Sequence, residues 1–89
     1  MTCAILADSV EAPLDAVCER LRNRGIDTRP FFVPMSQLPH LSHLRAVGAA
    51  GDGCPVAAHA ARRGFNLPSG TGLTRDEVHR AAAALRESL

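Results

Sequence analysis

The sequence predicts a small α/β (α+β) domain, a two-layer sandwich in which helices pack mainly on one face of a three-stranded sheet. Three observations lead to this fold class. Short apolar runs alternate with segments of helical periodicity, 46% of the 89 residues are hydrophobic, and the chain contains no internal repeat. Because a chain of this length builds one core, we expect a single domain over residues 1–89.

The first two elements are a strand and an amphipathic helix. Residues 3–7 form a continuous apolar run, which is typical of a strand that is covered on both faces. Pro13 suits the first position of a helix, and apolar residues then recur at helical spacing until Gly25, a common helix stop. The spacing predicts a helix over residues 12–24.

An extended segment follows over residues 26–33. Pro30 lies within it, and because proline has no amide hydrogen to donate, we expect this strand to lie at an edge of the sheet or to be interrupted. Side chains alternate between the two faces of a strand, so the adjacent Phe31 and Phe32 fall on opposite faces, with Arg29 on the face of Phe31. The domain's helices can cover one of these faces, and the other requires a different partner.

Turn-forming residues dominate the segment over residues 34–53. Its prolines and glycines predict a long loop with one helical turn near residues 37–44. Loops of this length are usually functional or mobile. Pro55 then begins a short helix that ends at Gly64, and residues 65–68 form the third strand.

The last element is a capped helix. Thr74 and Glu77 have the spacing of a capping box, in which each residue satisfies a free backbone amide of the other. Apolar residues recur at helical spacing from there to Leu89. The spacing therefore predicts a helix that begins after Thr74 and continues to the C-terminus.

Composition excludes several functional classes. The net charge is +1, and the chain has no Trp or Tyr and only three Phe, so it lacks both the basic patch and the stacking platforms of a nucleic-acid-binding protein. It also lacks an apolar membrane span or a secretory signal, and we expect a cytoplasmic protein. The three cysteines are far apart, which favours free thiols in small apolar niches over disulfides.

Four residues of metal-binding or nucleophilic type occur in and after the loop: His40, His43, Cys54 and His59. Their spacing matches no zinc signature, so we predict no metal site. Cys54 at a helix start could be an activated nucleophile, but the sequence assigns neither an orienting acid nor an oxyanion site to it. We therefore predict no catalytic residue in this chain.

Three segments carry a resemblance to a known family. They are residues 25–34 (GIDTRPFFVP), residues 54–57 (CPVA) with 64–69 (GFNLPS), and residues 73–78 (LTRDEV). In this order they resemble the C-terminal end of the DegT/DnrJ/EryC1/StrS aminotransferases. The resemblance implies a small domain that packs against a large domain, in enzymes that use pyridoxal phosphate to aminate keto sugars on nucleotide carriers, commonly as dimers.

The resemblance also implies which residues face the substrate. It places Arg29, Phe31 and Ser36 near the mouth of the active site, where Arg29 pairs with a carboxylate or a phosphate, or else is an exposed or interface arginine. Ser36 stands where many relatives have histidine, so a substrate role for it is the least supported of the three.

The cofactor-binding groups of the family belong to its large domain. All ten basic residues of this chain are arginine, so it has no lysine to bind the cofactor aldehyde as an imine. We expect that this chain alone binds no pyridoxal phosphate in that way and is not catalytic.

Two functional hypotheses follow. In the first, the chain is the small domain of a nucleotide-sugar aminotransferase, encoded separately or truncated, that joins an aminotransferase large domain and meets substrate only in the assembled enzyme. In the second, it is a non-enzymatic protein-interaction module that retains this fold. Both hypotheses predict a sheet face that binds a partner or a second copy of the chain.

Overall fold

The computed structural model describes residues 1–41, 43 and 54–89. This part of the chain forms a three-stranded sheet with three α-helices, which confirms the predicted fold class. In chain order the elements are β1 (Thr2–Ile5), α1 (Leu14–Asn23), β2 (Arg29–Pro30), α2 (Pro55–Arg63), β3 (Gly64–Leu67) and α3 (Arg75–Ser88).

The last strand in the sequence, β3, lies at the centre of the sheet, in the order β1–β3–β2. β1 and β2 both run antiparallel to it, and the register places Ala4 and Pro30 on either side of Phe65. Directly opposed residues share a face of the sheet, so these three residues lie on one face, which we call the helix face. The next register row lies on the opposite face, called the open face: Cys3, Asn66 and Arg29.

The hydrophobic core lies between the helix face and the helices α1 and α3. Phe65 from β3 and Val17 and Leu21 from α1 are fully buried. Val17 and Leu21 are four residues apart, so they project from the same side of α1 toward the sheet. Three further buried side chains complete the core: Leu6, Ile26 and Ala84.

The end of α1 explains why Gly25 is a glycine. Its φ angle is +76°, in the left-handed region that other residues rarely adopt. The Gly25 N–H donates to the Arg22 carbonyl at 2.9 Å, and the Ile26 N–H donates to the Leu21 carbonyl at 3.0 Å. These two bonds form a Schellman motif, which turns the chain so that Ile26 enters the core.

The last turn of α3 is tied to α1 by arginines. The Arg20 guanidinium donates to the Ser88 carbonyl at 3.0 Å, and Arg24 forms an ion pair with Glu87. Ser88 is fully buried, and its hydroxyl donates to the Ala84 carbonyl at 2.7 Å. A cation at the C-terminus of a helix also offsets the helix dipole, so Arg20 both orients and stabilises α3.

The predicted capping box at the start of α3 is confirmed. The Thr74 Oγ1 atom accepts from the Glu77 N–H at 3.3 Å, and the Glu77 carboxylate accepts from the Thr74 N–H and hydroxyl at 2.8 Å. These donors stabilise the ionised carboxylate and so lower the pKa of Glu77 below its ordinary value. The hydrogen bond from the Thr74 backbone has the larger effect, and that from its hydroxyl the smaller.

Loss of this cap should destabilise the protein in a pH-dependent way. We expect Thr74→Ala to lower the free energy of unfolding by about 1 kcal/mol at neutral pH. The part that depends on ionised Glu77 is present above the pKa of glutamate in the unfolded chain and is lost as pH falls through the lowered folded pKa. Urea unfolding should therefore show the difference between wild type and Thr74→Ala narrowing in acid, and an unchanged or growing difference would contradict this assignment.

The predictions for β1 were partly wrong. The strand covers Thr2–Ile5 rather than residues 3–7, and it is not covered on both faces, because Cys3 and Ile5 are exposed. It is an edge strand of a sheet whose helices α1 and α3 pack on the helix face alone. For the same reason Cys3 does not lie in an apolar niche, although all three cysteines are free thiols.

The second strand lies at an edge of the sheet as predicted, but it is much shorter than residues 26–33. Only Arg29–Pro30 pair with β3, and the last backbone bond joins the Phe31 N–H to the Gly64 carbonyl at 3.0 Å. Pairing stops there because Gly64 is the first residue of β3. The residue before it, Arg63, belongs to α2, so β3 offers no further partner to the chain after Phe31.

The described part of the predicted loop contains two 3₁₀ turns, Met35–Gln37 and Pro39–Leu41, and the second lies within the range 37–44 in which a helical turn was predicted. Residues 42 and 44–53 of the predicted loop, which include its glycines, lie outside the described residues. Within the part of the chain that is described, no helix is both long and apolar enough to cross a membrane.

Candidate functional site

A groove of about 720 Å³ lies beside β2. This volume falls in the range of sites that bind small ligands, which are mainly apolar and carry a few polar groups for orientation. The groove has this composition, since most of its wall is apolar and Arg29, Asn66 and Ser69 supply the polar groups. The complete lining is Met1, Arg29, Pro30, Phe31, Phe32, Val33, Asn66, Leu67 and Ser69.

Arg29 presents a guanidinium at the groove. Its side chain is 82% exposed, and its Nε atom lies 3.7 Å from the Asp27 carboxylate. Exposed ion pairs of this kind contribute about 0–1 kcal/mol, so the pair with Asp27 is weak. The guanidinium can therefore turn toward an anionic group in the groove and donate two parallel hydrogen bonds to it.

Phe31 lies over Gly64 on the open face. A Cβ atom at Gly64 would be 2.4 Å from two atoms of the Phe31 ring and 2.5 Å from the Ala60 carbonyl oxygen. The φ angle of Gly64 is −103°, which any residue adopts, so this position needs glycine for space and not for backbone freedom. Phe31 is half-buried and lines the groove together with Arg29.

The structure brings together two of the three residues that the resemblance places on the substrate side. Arg29 and Phe31 line the groove, whereas Ser36 is exposed on the first 3₁₀ turn and is not part of the lining. Asn66 and Ser69 were not predicted. Alternation along β3 is the signal that would have found Asn66, because it faces away from the buried Phe65.

Asn66 also connects the groove to β1. Its Oδ1 atom accepts from the Cys3 thiol at 3.2 Å, across the two paired strands. This contact leaves the amide NH₂ group of Asn66 to donate elsewhere. The open face thus presents donors from Asn66 and Arg29 in one register row.

The residues considered for zinc do not come together. Among the described residues, no three side chains of His, Cys, Asp or Glu are grouped so as to hold a metal ion. His59 instead lies near the turn after β1, with its Nε2 atom 3.9 Å from an Asp8 oxygen. Cys54 precedes the first residue of α2, where its carbonyl accepts from the Ala58 N–H at 2.9 Å.

Arg63 holds the turn after β1 in place. Its Nε atom donates to the Leu6 carbonyl at 2.9 Å, and its terminal NH₂ group donates to the carbonyls of Ala7 and Val10. Asp8 lies 3.8 Å from the same guanidinium. These contacts give Arg63 a structural role at the end of α2, away from the groove.

The chain offers no lysine to pyridoxal phosphate, the cofactor that the resemblance implies. Enzymes that use its aldehyde hold it through a lysine amine, and the ten basic residues here are all arginine. The groove therefore has no side chain that could form the covalent bond to the cofactor. Its chemistry is that of a binding surface, with one guanidinium over an apolar floor.

Comparison with known proteins identifies relatives over nearly the whole chain. The chain is 37% identical to the GDP-perosamine synthase of Vibrio cholerae over 78 aligned residues. These residues make up 88% of this chain and 20% of that protein. It is 34% identical to the GDP-perosamine synthase of Caulobacter vibrioides over 84 aligned residues, and these make up 94% of this chain and 21% of that protein. The chain thus spans about one fifth of the length of these curated relatives.

The family model for the DegT/DnrJ/EryC1/StrS aminotransferases matches residues 1–86. This range includes every strand of the sheet and all of the groove lining. The chain belongs to the DegT/DnrJ/EryC1/StrS aminotransferase family.

Proposed function

We propose that this chain supplies one wall of the substrate cleft of a pyridoxal-phosphate-dependent nucleotide-sugar aminotransferase, and that it does so only when assembled with a large domain that holds the cofactor. The observation that carries the proposal is the groove beside β2, in which the exposed Arg29 lies next to aromatic side chains. The absence of lysine supports the second part, because the chain cannot hold the cofactor covalently.

The groove suits one portion of such a substrate. A nucleotide-linked sugar carries phosphate groups, and a guanidinium binds phosphate through parallel charge-assisted hydrogen bonds. Phe31 and Phe32 offer flat apolar rings to the less polar surfaces of the ligand. In this arrangement Arg29 anchors and orients the substrate, and groups of the large domain perform the amino transfer.

A second candidate function is a protein-interaction module without enzymatic activity. It is favoured by the exposure of consecutive apolar side chains after β2, since Phe32 is 88% and Val33 is 60% exposed. Exposed apolar patches of this kind often mark binding surfaces. The two candidates differ in whether the assembled complex turns over substrate.

A complementation experiment separates them. The GDP-perosamine synthase of Vibrio cholerae, deleted for the segment aligned with this chain, is mixed with the full 89-residue chain, pyridoxal phosphate, glutamate and a nucleotide-linked keto sugar. We expect amino transfer only when both polypeptides are present. Binding without turnover, measured by sedimentation of the mixture, would instead support the interaction module.

Variants test the role of Arg29 in the complex. We expect Arg29→Ala to raise KM for the nucleotide sugar about tenfold with a smaller change in kcat, because it removes binding to a part of the substrate that does not react. Arg62→Ala, at an exposed position of α2, is the matched control and should leave KM unchanged. Equal effects of the two variants would contradict the assignment of Arg29.

The side chains of the isolated chain should not retain the cofactor covalently. Borohydride reduction after incubation with pyridoxal phosphate is expected to leave its lysine-free side chains unmodified. Mass spectrometry of the isolated chain measures this directly. A pyridoxyl adduct on any side chain would overturn this part of the proposal.

A further inference from the structure

One edge of the sheet has backbone groups that can pair with another strand. Among the described residues, β1 is followed by no further strand, since the sheet order is β1–β3–β2. The Leu6 N–H donates to the Arg63 carbonyl at 2.9 Å, which continues the register between β1 and β3. Bonded residues alternate along an antiparallel strand, so the amide and carbonyl groups of Cys3 and Ile5 point away from β3.

The opposite edge is blocked. On β2 the Phe31 N–H is bonded to Gly64, so the same alternation turns the backbone of Pro30 outward. Pro30 offers no donor there, and the neighbouring Arg29 is charged, and both features discourage strand addition. Residues 2–5 contain neither proline nor charge, so β1 is the edge that accepts another strand.

We propose that β1 pairs in antiparallel fashion with β1 of a second copy of this chain, about a twofold axis at Ala4, so that two sheets join into one. In this register Cys3 lies opposite Ile5 of the second copy. The backbone N–H and C=O groups of both residues point outward. The N–H of Cys3 in one copy can therefore donate to the carbonyl of Ile5 in the other, and the reverse. The edge is therefore complementary to itself, as a twofold interface requires.

The side chains also favour a second copy as the partner. Ile5 is 52% exposed and shares the open face with Cys3, so pairing brings apolar side chains together across the interface. Ala4 at the axis is small and does not hinder close approach of the two copies. The lack of charge matters because a twofold axis repeats every charge and would bring like charges near one another.

The first test measures self-association of the full chain and its amide hydrogen exchange, in reducing buffer to prevent disulfides through Cys3. Sedimentation should show a monomer–dimer equilibrium. Hydrogen exchange at the Cys3 and Ile5 amides should slow as the protein concentration, and with it the fraction of dimer, increases. The Ala4 amide, which faces β3, should be protected at every concentration. A chain that stays monomeric, or a dimer that leaves Cys3 and Ile5 unprotected, would overturn the proposal.

Substitutions that introduce opposite charges test whether Cys3 lies opposite Ile5 of the second copy. We expect Cys3→Lys and Ile5→Glu each to raise the dissociation constant of the dimer about tenfold, because each adds an unpaired edge charge. The combined variant should regain affinity, since the new cation and carboxylate then lie opposite one another in the dimer. Val56→Lys, at an 82% exposed apolar position of α2, is the matched control and should leave the dimer unchanged.

Circular dichroism of each variant establishes that it is folded before association is compared. Loss of the dimer in Phe32→Ser with no effect of the β1 variants would place self-association at the groove and overturn the proposal. The test uses this chain alone and requires no aminotransferase activity, so its result is independent of the complementation experiment.

Discussion

Phe65→Ala is expected to lower the free energy of unfolding by about 3–5 kcal/mol, the largest effect of any single substitution in the core. Phe65 is fully buried at the centre of the sheet, where it contacts the helix side of the core between Ala4 and Pro30. Its truncation removes the apolar contacts and leaves a cavity that surrounding side chains cannot fill completely.

Urea denaturation followed by far-ultraviolet circular dichroism measures this loss. Phe32→Ala is the matched control, because it removes the same side chain from a position that is 88% exposed, and it should change stability by less than about 0.5 kcal/mol. If Phe65→Ala leaves too little folded protein, Phe65→Leu should still show a smaller loss of the same sign. Similar losses for Phe65→Ala and Phe32→Ala would contradict the assigned core.

Gly64→Ala should destabilise the fold by about 1–3 kcal/mol, although it adds only a methyl group. The methyl carbon would lie 2.4 Å from the Phe31 ring and 2.5 Å from the Ala60 carbonyl, so backbone or ring must move. Gly72→Ala is the control, since a Cβ atom there meets no heavy atom within 4 Å. Equal unfolding midpoints for the two variants would contradict the packing of Phe31.

A double-mutant cycle with Phe31→Ala separates the two contacts of Gly64. Without the ring, Gly64→Ala should lose less stability, and the remaining loss reports the clash with the Ala60 carbonyl. Independent, additive losses would show that Phe31 does not lie over Gly64. The cycle thus tests a local arrangement that also forms the wall of the groove.

The sequence was most informative where local chemistry decides the structure. The capping box at Thr74 and the helix stop at Gly25 are set by residues close together in the chain, and both were predicted. The periodicity of α1 likewise predicted its buried side, because helical spacing alone places Val17 and Leu21 together.

Prediction failed where strand order decides the outcome. The apolar run of residues 3–7 is compatible with a central strand or an edge strand, and only pairing with β3 places it at the edge. The packing role of Gly64 was hidden for the same reason. It depends on Phe31, which is distant in sequence and approaches only through the β2–β3 pairing.

The sequence did not predict the groove itself, but it did place two residues of its lining on a common face. Alternation placed Arg29 and Phe31 on one face of β2, and both line the groove. Asn66 and Ser69 come from β3 and the turn after it; alternation along β3 indicates the face of Asn66, but its position opposite Arg29 follows from the register Arg29↔Asn66. Ser36 lies beyond the paired part of the chain, where strand geometry no longer determines its position.

The central position of β3 also sets the order in which the protein can fold during synthesis. β1 and β2 leave the ribosome before β3, yet among the described residues each pairs with β3 alone, and the Thr2↔Leu67 pair joins residues that are far apart in the sequence. Contacts of such long sequence separation slow folding and leave early segments exposed. Until β3 is synthesised, neither β1 nor β2 has the strand with which it pairs in the folded domain.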